Sequence, residues 1–190
     1  DVSSVTNMSE MFKSNDDFNG DISNWDVSNV VSMKLMFNEA TSFNRDLLNW
    51  DVSNVENVIG MFKSSNFNGN ISNWDISSAT QLNGMFKWAP EFNCDISGWD
   101  VSHIISMNNV FNGASSFNQN LSSWDVSNVN TMTDIFLDAN ELSEFHQCAI
   151  HESFSSNPNW PYDWSVSCQS TYIPDDNFEQ ALIDLGYDDI

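Results

Sequence analysis

Five aspartates recur in register along this chain: Asp26, Asp51, Asp75, Asp100 and Asp125, each in a Trp-Asp-[Val/Ile]-Ser tetrapeptide. A second polar column, Asp21, Asp46, Asn70, Asp95 and Asn120, runs five residues ahead of it. Stacked carboxylate and amide oxygens are the ligands that a hard cation such as Ca²⁺ prefers. The five aspartates are therefore candidate Ca²⁺ ligands, and Ca²⁺ is the one cofactor the sequence suggests. The competing reading is local: an aspartate here accepts hydrogen bonds from the turn that follows it. The glycine-rich nonapeptide of calcium-binding β-rolls is missing, which favours the turn.

Other reactive types are sparse. His103 lies in a repeat, while His146 and His151 bracket the H-Q-C-A-I-H stretch, a spacing open to metal binding or to a plain cap helix. Cys148 and Cys168 stand 20 residues apart and read as a disulfide, which favours an oxidising exterior. Cys94 falls in a variable slot. No glycine-rich phosphate loop and no G-x-S-x-G elbow occurs, so no catalytic residue is assigned and an enzyme is not expected. Trp88 is the unusual side chain. Its equivalents in other repeats are Ser14, Glu39, Gly113 and Asp138, and beside Lys87 it is a candidate contact for a protein or a sugar.

The framework holding these residues is a repeat. Trp25, Trp50, Trp74, Trp99 and Trp124 are separated by 25, 24, 25 and 25 residues. Phe12, Phe37, Phe62, Phe86, Phe111 and Phe136 form one further column, and Phe18, Phe43, Phe67, Phe92 and Phe117 another, each followed by Asn. A period of this length marks stacked units that bury their apolar faces on one another. Ile22-x-x-Trp25-x-Val27 has the spacing of a leucine-rich-repeat strand. Val30, Met33, Met36, Phe37 and Ala40, three and four apart, predict a short helical segment after it. The expected fold class is an α/β, leucine-rich-repeat-like solenoid of about six 24–25-residue coils over 1–145, each a short strand plus a short helical segment. The spacing from Phe62 to Phe67 is one residue short, which predicts a local pinch. A disulfide-bonded cap over 146–168 follows, then a linker and amphipathic helix over 169–190 that reads as the start of a further module, so the chain is expected to be part of something longer.

Charge narrows the partners. The chain carries 27 acids against 5 bases, a net charge of -22, and no Lys or Arg follows Lys87. Such a field repels phosphate backbones and anionic lipid, which excludes nucleic acid and disfavours membrane docking. No apolar run is long enough to insert into a bilayer.

The unit W-D-V-S-N-V, followed by M-x-x-M-F and then F-N-x-D-I-S, resembles the BspA-like leucine-rich repeats of bacterial surface proteins, in the Trp-Asp-Val-Ser variant found in surface lipoproteins. The likeness covers about residues 1–145. It implies export to the extracellular or bacterial outer surface and a non-enzymatic role in binding or adhesion toward a protein or glycan. A passive stalk displaying other modules, or a Ca²⁺-stabilised adhesin segment, are the alternatives.

Overall fold

The computed structural model describes residues 1–169. Two α-helices occur among them, α1 (Glu144–Phe154) and α2 (Ser165–Gln169), both beyond the last repeat. Residues 1–142 contain neither helix nor strand. Extended pairing is reduced to single parallel bridges: Asn7 with Ser32, Ser32 with Asn57, Gln81 with Ser106, and Ser106 with Thr131. The expected solenoid of strand-plus-helix coils is thereby overturned, and with it the leucine-rich-repeat assignment. Each repeat is instead a tier built from turns.

The backbone shows why helical spacing gives no helix. In the second tier, the N–H groups of Met33, Leu35, Phe37 and Glu39 donate to the carbonyls of Asn57, Ile59, Met61 and Lys63 in the next tier, at 2.8–3.0 Å. Between them, Met36, Asn38 and Ala40 donate back three residues to Met33, Leu35 and Phe37, at 3.1–3.2 Å. Alternate amides thus close a turn or reach the neighbour. A helix would point every amide along its own axis, to the residue four back. The chain escapes that course because Leu35 and Glu39 sit at φ 55° and 62°.

Those left-handed positions recur in two columns. One holds Glu10, Leu35, Gly60, Gly84, Asn109 and Asp134; the other holds Ser14, Glu39, Ser64, Trp88, Gly113 and Asp138. All lie between φ 53° and 74°. A non-glycine residue gives up about 1–2 kcal/mol in this conformation. The array offsets that cost through burial and inter-tier hydrogen bonds. Turns of three residues then bring Met33, Met36, Phe37 and Ala40 to one side, where all are buried.

The predicted strand is likewise a pair of turns. Trp25 N–H donates to Ile22 and Val30 N–H to Val27, at 3.0 and 2.9 Å. Val27 points in and Asp26 out. The indole adds a bond that alternation alone does not foresee. Nε1 of Trp50, Trp74, Trp99 and Trp124 donates to the carbonyl of Ile22, Leu47, Ile71 and Ile96 in the preceding tier, at 2.9–3.2 Å. Tryptophan recurs because it fills the interior while its indole N–H, costly to bury unpaired, finds a second lone pair on a carbonyl that already accepts a backbone N–H in its own tier.

Two files of phenylalanine complete the core. Within a tier the paired rings lie 3.7–4.1 Å apart, as in Phe37–Phe43 and Phe86–Phe92. Along the first file, from Phe12 to Phe136, the step is 5.4–5.9 Å. The asparagine after the second phenylalanine forms a ladder at the surface rather than inside. Asn19, Asn44, Asn68 and Asn93 each accept, through Oδ1, the backbone N–H of the next ladder residue at 2.8–3.2 Å. At the shortened spacing the Phe62 and Phe67 rings lie 3.9 Å apart, as in the other tiers; the close approach falls beyond it, at Gly69, where an added Cβ would strike the backbone carbonyl of Arg45.

The sixth tier is closed by a different kind of structure. Ser143 caps α1 by accepting the N–H of His146, and Cys148 is joined to Cys168 of α2. Trp160, Tyr162 and Trp164 lie against Phe136. The expected amphipathic helix, with Phe178, Leu182 and Leu185, lies outside the described residues, as does all that follows Gln169. Among the described residues no helix is long and apolar enough to cross a membrane.

Candidate functional site

Trp88 projects from the fourth tier with 52% of its surface exposed. Its position is set from below. The backbone N–H donates to Asn112 at 2.7 Å, and φ is 56°, a conformation that a bulky residue rarely adopts. The ring lies across Gly113, whose missing side chain makes the room: a Cβ there would collide with Cδ1 of the indole. On the ring stand two ammonium groups. Lys87 Nζ is 4.6 Å and Lys63 Nζ 5.2 Å from its centroid, both within cation–π range. Lys87 is further fixed by donating to Asn109 Oδ1 at 3.0 Å.

Two of the chain's five bases therefore converge on its most exposed tryptophan. Among the described residues the one ion pair is Lys13–Glu10, so no carboxylate neutralises either lysine. The arrangement presents a flat apolar ring edged by positive charge on a chain that is otherwise acidic. Lys87 was legible beside Trp88. Lys63 and Gly113 were not, although both stand one period away, and period is the signal that brings them to the same place.

The candidate Ca²⁺ ligands are engaged locally. Asp26 Oδ1 accepts the N–H and Oγ–H of Ser28 at 3.1 and 2.6 Å; Asp51 does the same with Ser53 at 3.1 and 2.6 Å. Asp100 accepts both groups of Ser102 at 3.0 and 2.7 Å, while Asp75 and Asp125 accept the N–H of Ser77 and Ser127 at 3.0 and 2.9 Å. The serine hydroxyl, and after it the serine amide, hold the carboxyls of Asp26 and Asp100 below the ordinary carboxylate range. Asp21 is lowered the same way by Ser23. No three of these carboxylates approach one another as a ligand set; among the described residues the group that does is Cys148, Glu152 and Cys168, and its two sulfurs are bonded to each other.

The histidines are not brought together. His103 Nε2 is 3.0 Å from the Ile76 carbonyl, His146 Nδ1 2.7 Å from Asn118 Oδ1, and His151 Nδ1 accepts Trp160 Nε1–H at 3.1 Å. Each ring holds a tier or the cap in place. Cys94 is half-buried and free among the described residues, and burial raises its thiol pKa, away from the reactive thiolate.

The comparisons agree with a repeat. A family model described as "Mycoplasma protein of unknown function, DUF285" matches twice, over residues 1–87 and 64–152. No curated protein and no solved structure matches the chain.

Proposed function

The chain belongs to the DUF285 family of repeat proteins, and from that premise we propose that it is a non-enzymatic binding or adhesion module of the extracellular or bacterial outer surface, of BspA-like type. Its partner is a protein or glycan, contacted through Trp88. The observation carrying this reading is the built surround of that side chain. The backbone under Trp88 is in a costly conformation, its ring rests on Gly113, and Lys63 and Lys87 flank it. Every tier needs the left-handed φ at this slot, but this tier alone places a tryptophan there. Glycine, serine or an acid fills this slot in the other tiers, and a smaller residue would satisfy the same φ at less cost. The Cys148–Cys168 bond supports an oxidising location. Within this reading 1–145 is the presenting array and 146–168 its cap.

The test uses a substitution that spares the fold. Trp88→Asn relieves the left-handed backbone, so its melting temperature should stay within a few degrees of the parent. Beads coated with the parent protein should adhere to epithelial cell layers, and beads coated with Trp88→Asn should adhere about tenfold less. Equal adhesion of the two would remove Trp88 from the contact and leave the array as a passive display stalk.

A further inference from the structure

Five junctions separate the six tiers, and four share two backbone hydrogen bonds at one corner. At the first junction Met8 N–H donates to Ser32 and Val31 N–H to Thr6; at the second, Met33 to Asn57 and Glu56 to Val31. At the fourth, Leu82 donates to Ser106 and Ile105 to Thr80; at the fifth, Met107 to Thr131 and Asn130 to Ile105. The third junction makes neither bond. By register, Val58 N–H should meet the carbonyl of Gln81, and Thr80 N–H that of Glu56. Among the described residues these partners do not pair, and the parallel bridge is missing there too. The ladder closes again one step on, where Gly60 N–H donates to Asn83 at 3.0 Å.

A cleft of about 450 Å³ opens at this break, lined by Glu56, Asn57, Ile59, Ser78, Thr80 and Gln81. Its lining residues carry the unpaired N–H of Thr80, the unpaired carbonyls of Glu56 and Gln81, and the Glu56 carboxylate; Asn57 Oδ1 and Gln81 Oε1 each keep one lone pair beyond the bonds they accept from Ile59 N–H and Asn83 Nδ2. One aliphatic side chain, Ile59, replaces the asparagine that Asn83 and Asn108 supply in the same column. Those two asparagines bind the tier beyond them, Asn83 through Asn108 N–H and Asn108 through Thr133 N–H, at 2.8 and 2.9 Å. Ile59 cannot make that bond. The missing rung and the apolar patch therefore occur in one place.

We propose that this cleft binds a neutral sugar unit. Hydroxyl groups both donate and accept, so one pyranose can satisfy the Thr80 N–H together with the Glu56 and Gln81 carbonyls. Glu56 accepts from two neighbouring hydroxyls, and Ile59 covers a patch of C–H. No Lys or Arg lines the cleft, which disfavours phosphate, sulfate and carboxylate ligands on so acidic a chain. A lone carboxylate does not make a metal site. The gap is two hydrogen bonds long, too short for an inserted strand, which extends by pairing along its length. The proposal rests on the same reading of the chain as a binder, but on a part of its surface that excludes Trp88.

The experiment follows backbone amide resonances of the full chain while methyl glycosides of glucose, galactose, mannose and N-acetylglucosamine are added separately, each to tens of millimolar. At least one should shift the amides of Val58, Ile59, Thr80 and Gln81 with saturation. Glu56→Ala and Gln81→Ala, both at exposed or half-buried positions, should each weaken that binding about tenfold with the remaining spectrum unchanged, and Trp88→Asn should not alter it. Absence of saturable shifts at these four amides with every glycoside would overturn the proposal, as would shifts that both alanine variants leave intact. A response to capped tetraglycine alone would overturn it in favour of a peptide. Because Trp88→Asn separates the two surfaces, loss of adhesion and loss of glycoside binding report on different claims.

Discussion

The array and its cap meet the same requirement by opposite means. Inside the array, each tier hands alternate backbone amides to the next tier, so one sequence written repeatedly satisfies itself. The sixth tier has no successor among the described residues, and the cap supplies side chains in place of backbone. Phe136 N–H, whose equivalents donate to a carbonyl of the following tier, donates to Tyr162 Oη at 3.0 Å. Asn157, buried, donates through Nδ2 to Val126 and Val129 at 2.6 and 2.9 Å. Aromatic packing changes too, from parallel stacks in the array to edge-on contacts such as Trp160–Trp164 at 87°. Periodic structure is held by many equivalent bonds. Its end is held by a few particular ones, plus a covalent link.

The largest effect should come from removing a ring inside the array. Phe86→Ala deletes a fully buried side chain stacked on Phe62, Phe92 and Phe111, and should cost about 3–5 kcal/mol in chemical denaturation. Trp164→Ala, at a half-buried cap position, should cost less. Equal losses would contradict the idea that the interior files hold most of the stability. Reduction of Cys148–Cys168 should follow, at about 3 kcal/mol for a loop of this length. Hydrogen exchange should then quicken over 144–168 and at Phe136, while amides of Phe37 and Phe62 keep their protection. Uniform quickening would mean that the cap and array unfold as one unit. Tyr162→Phe should cost about 1 kcal/mol and expose Phe136 N–H to exchange, a change confined to the last tier.

Acid should act on the array's outer edge. Asp26 and Asp100 have folded pKa values below the unfolded one. Their contribution is complete above the unfolded value of about 4 and is lost as pH falls through the lower, folded value. Melting temperature should therefore decline below about pH 4, and Asp26→Asn with Asp100→Asn should make that decline shallower. These are solvent-exposed groups, so the effect should be the smallest of the series.

Much of the array was legible in the residues. The period, the two Phe columns, the Trp column and the inward Val27 follow from repetition and alternation, because an interior that repeats must be filled each time by the same shape. The serine-bonded aspartates were legible as turn residues. What misled was the run Met33, Met36, Phe37, Ala40: apolar residues three and four apart arise from a helix, and also from successive turns reset by a left-handed residue. The sign that separates the two was present, since Gly60 and Gly84 share one column and Gly113 stands in the other, where φ is positive. Glutamate, leucine and tryptophan in the remaining places hid it. At the site, Trp88 could be picked out by type. Lys63, Gly113 and the open corner beside Ile59 depend on which residues face one another across tiers, and spacing alone does not say which bonds fail to form.

The central claim is that the array's amides run alternately across tiers and not along helices. Scalar coupling transmitted through hydrogen bonds tests it residue by residue in labelled protein. The account predicts a coupling from Phe37 N–H to the carbonyl carbon of Met61, and from Leu35 N–H to that of Ile59, matching bonds of 2.8 and 3.0 Å. A coupling from Phe37 N–H to Met33, four residues back, would place a helix there and contradict the account.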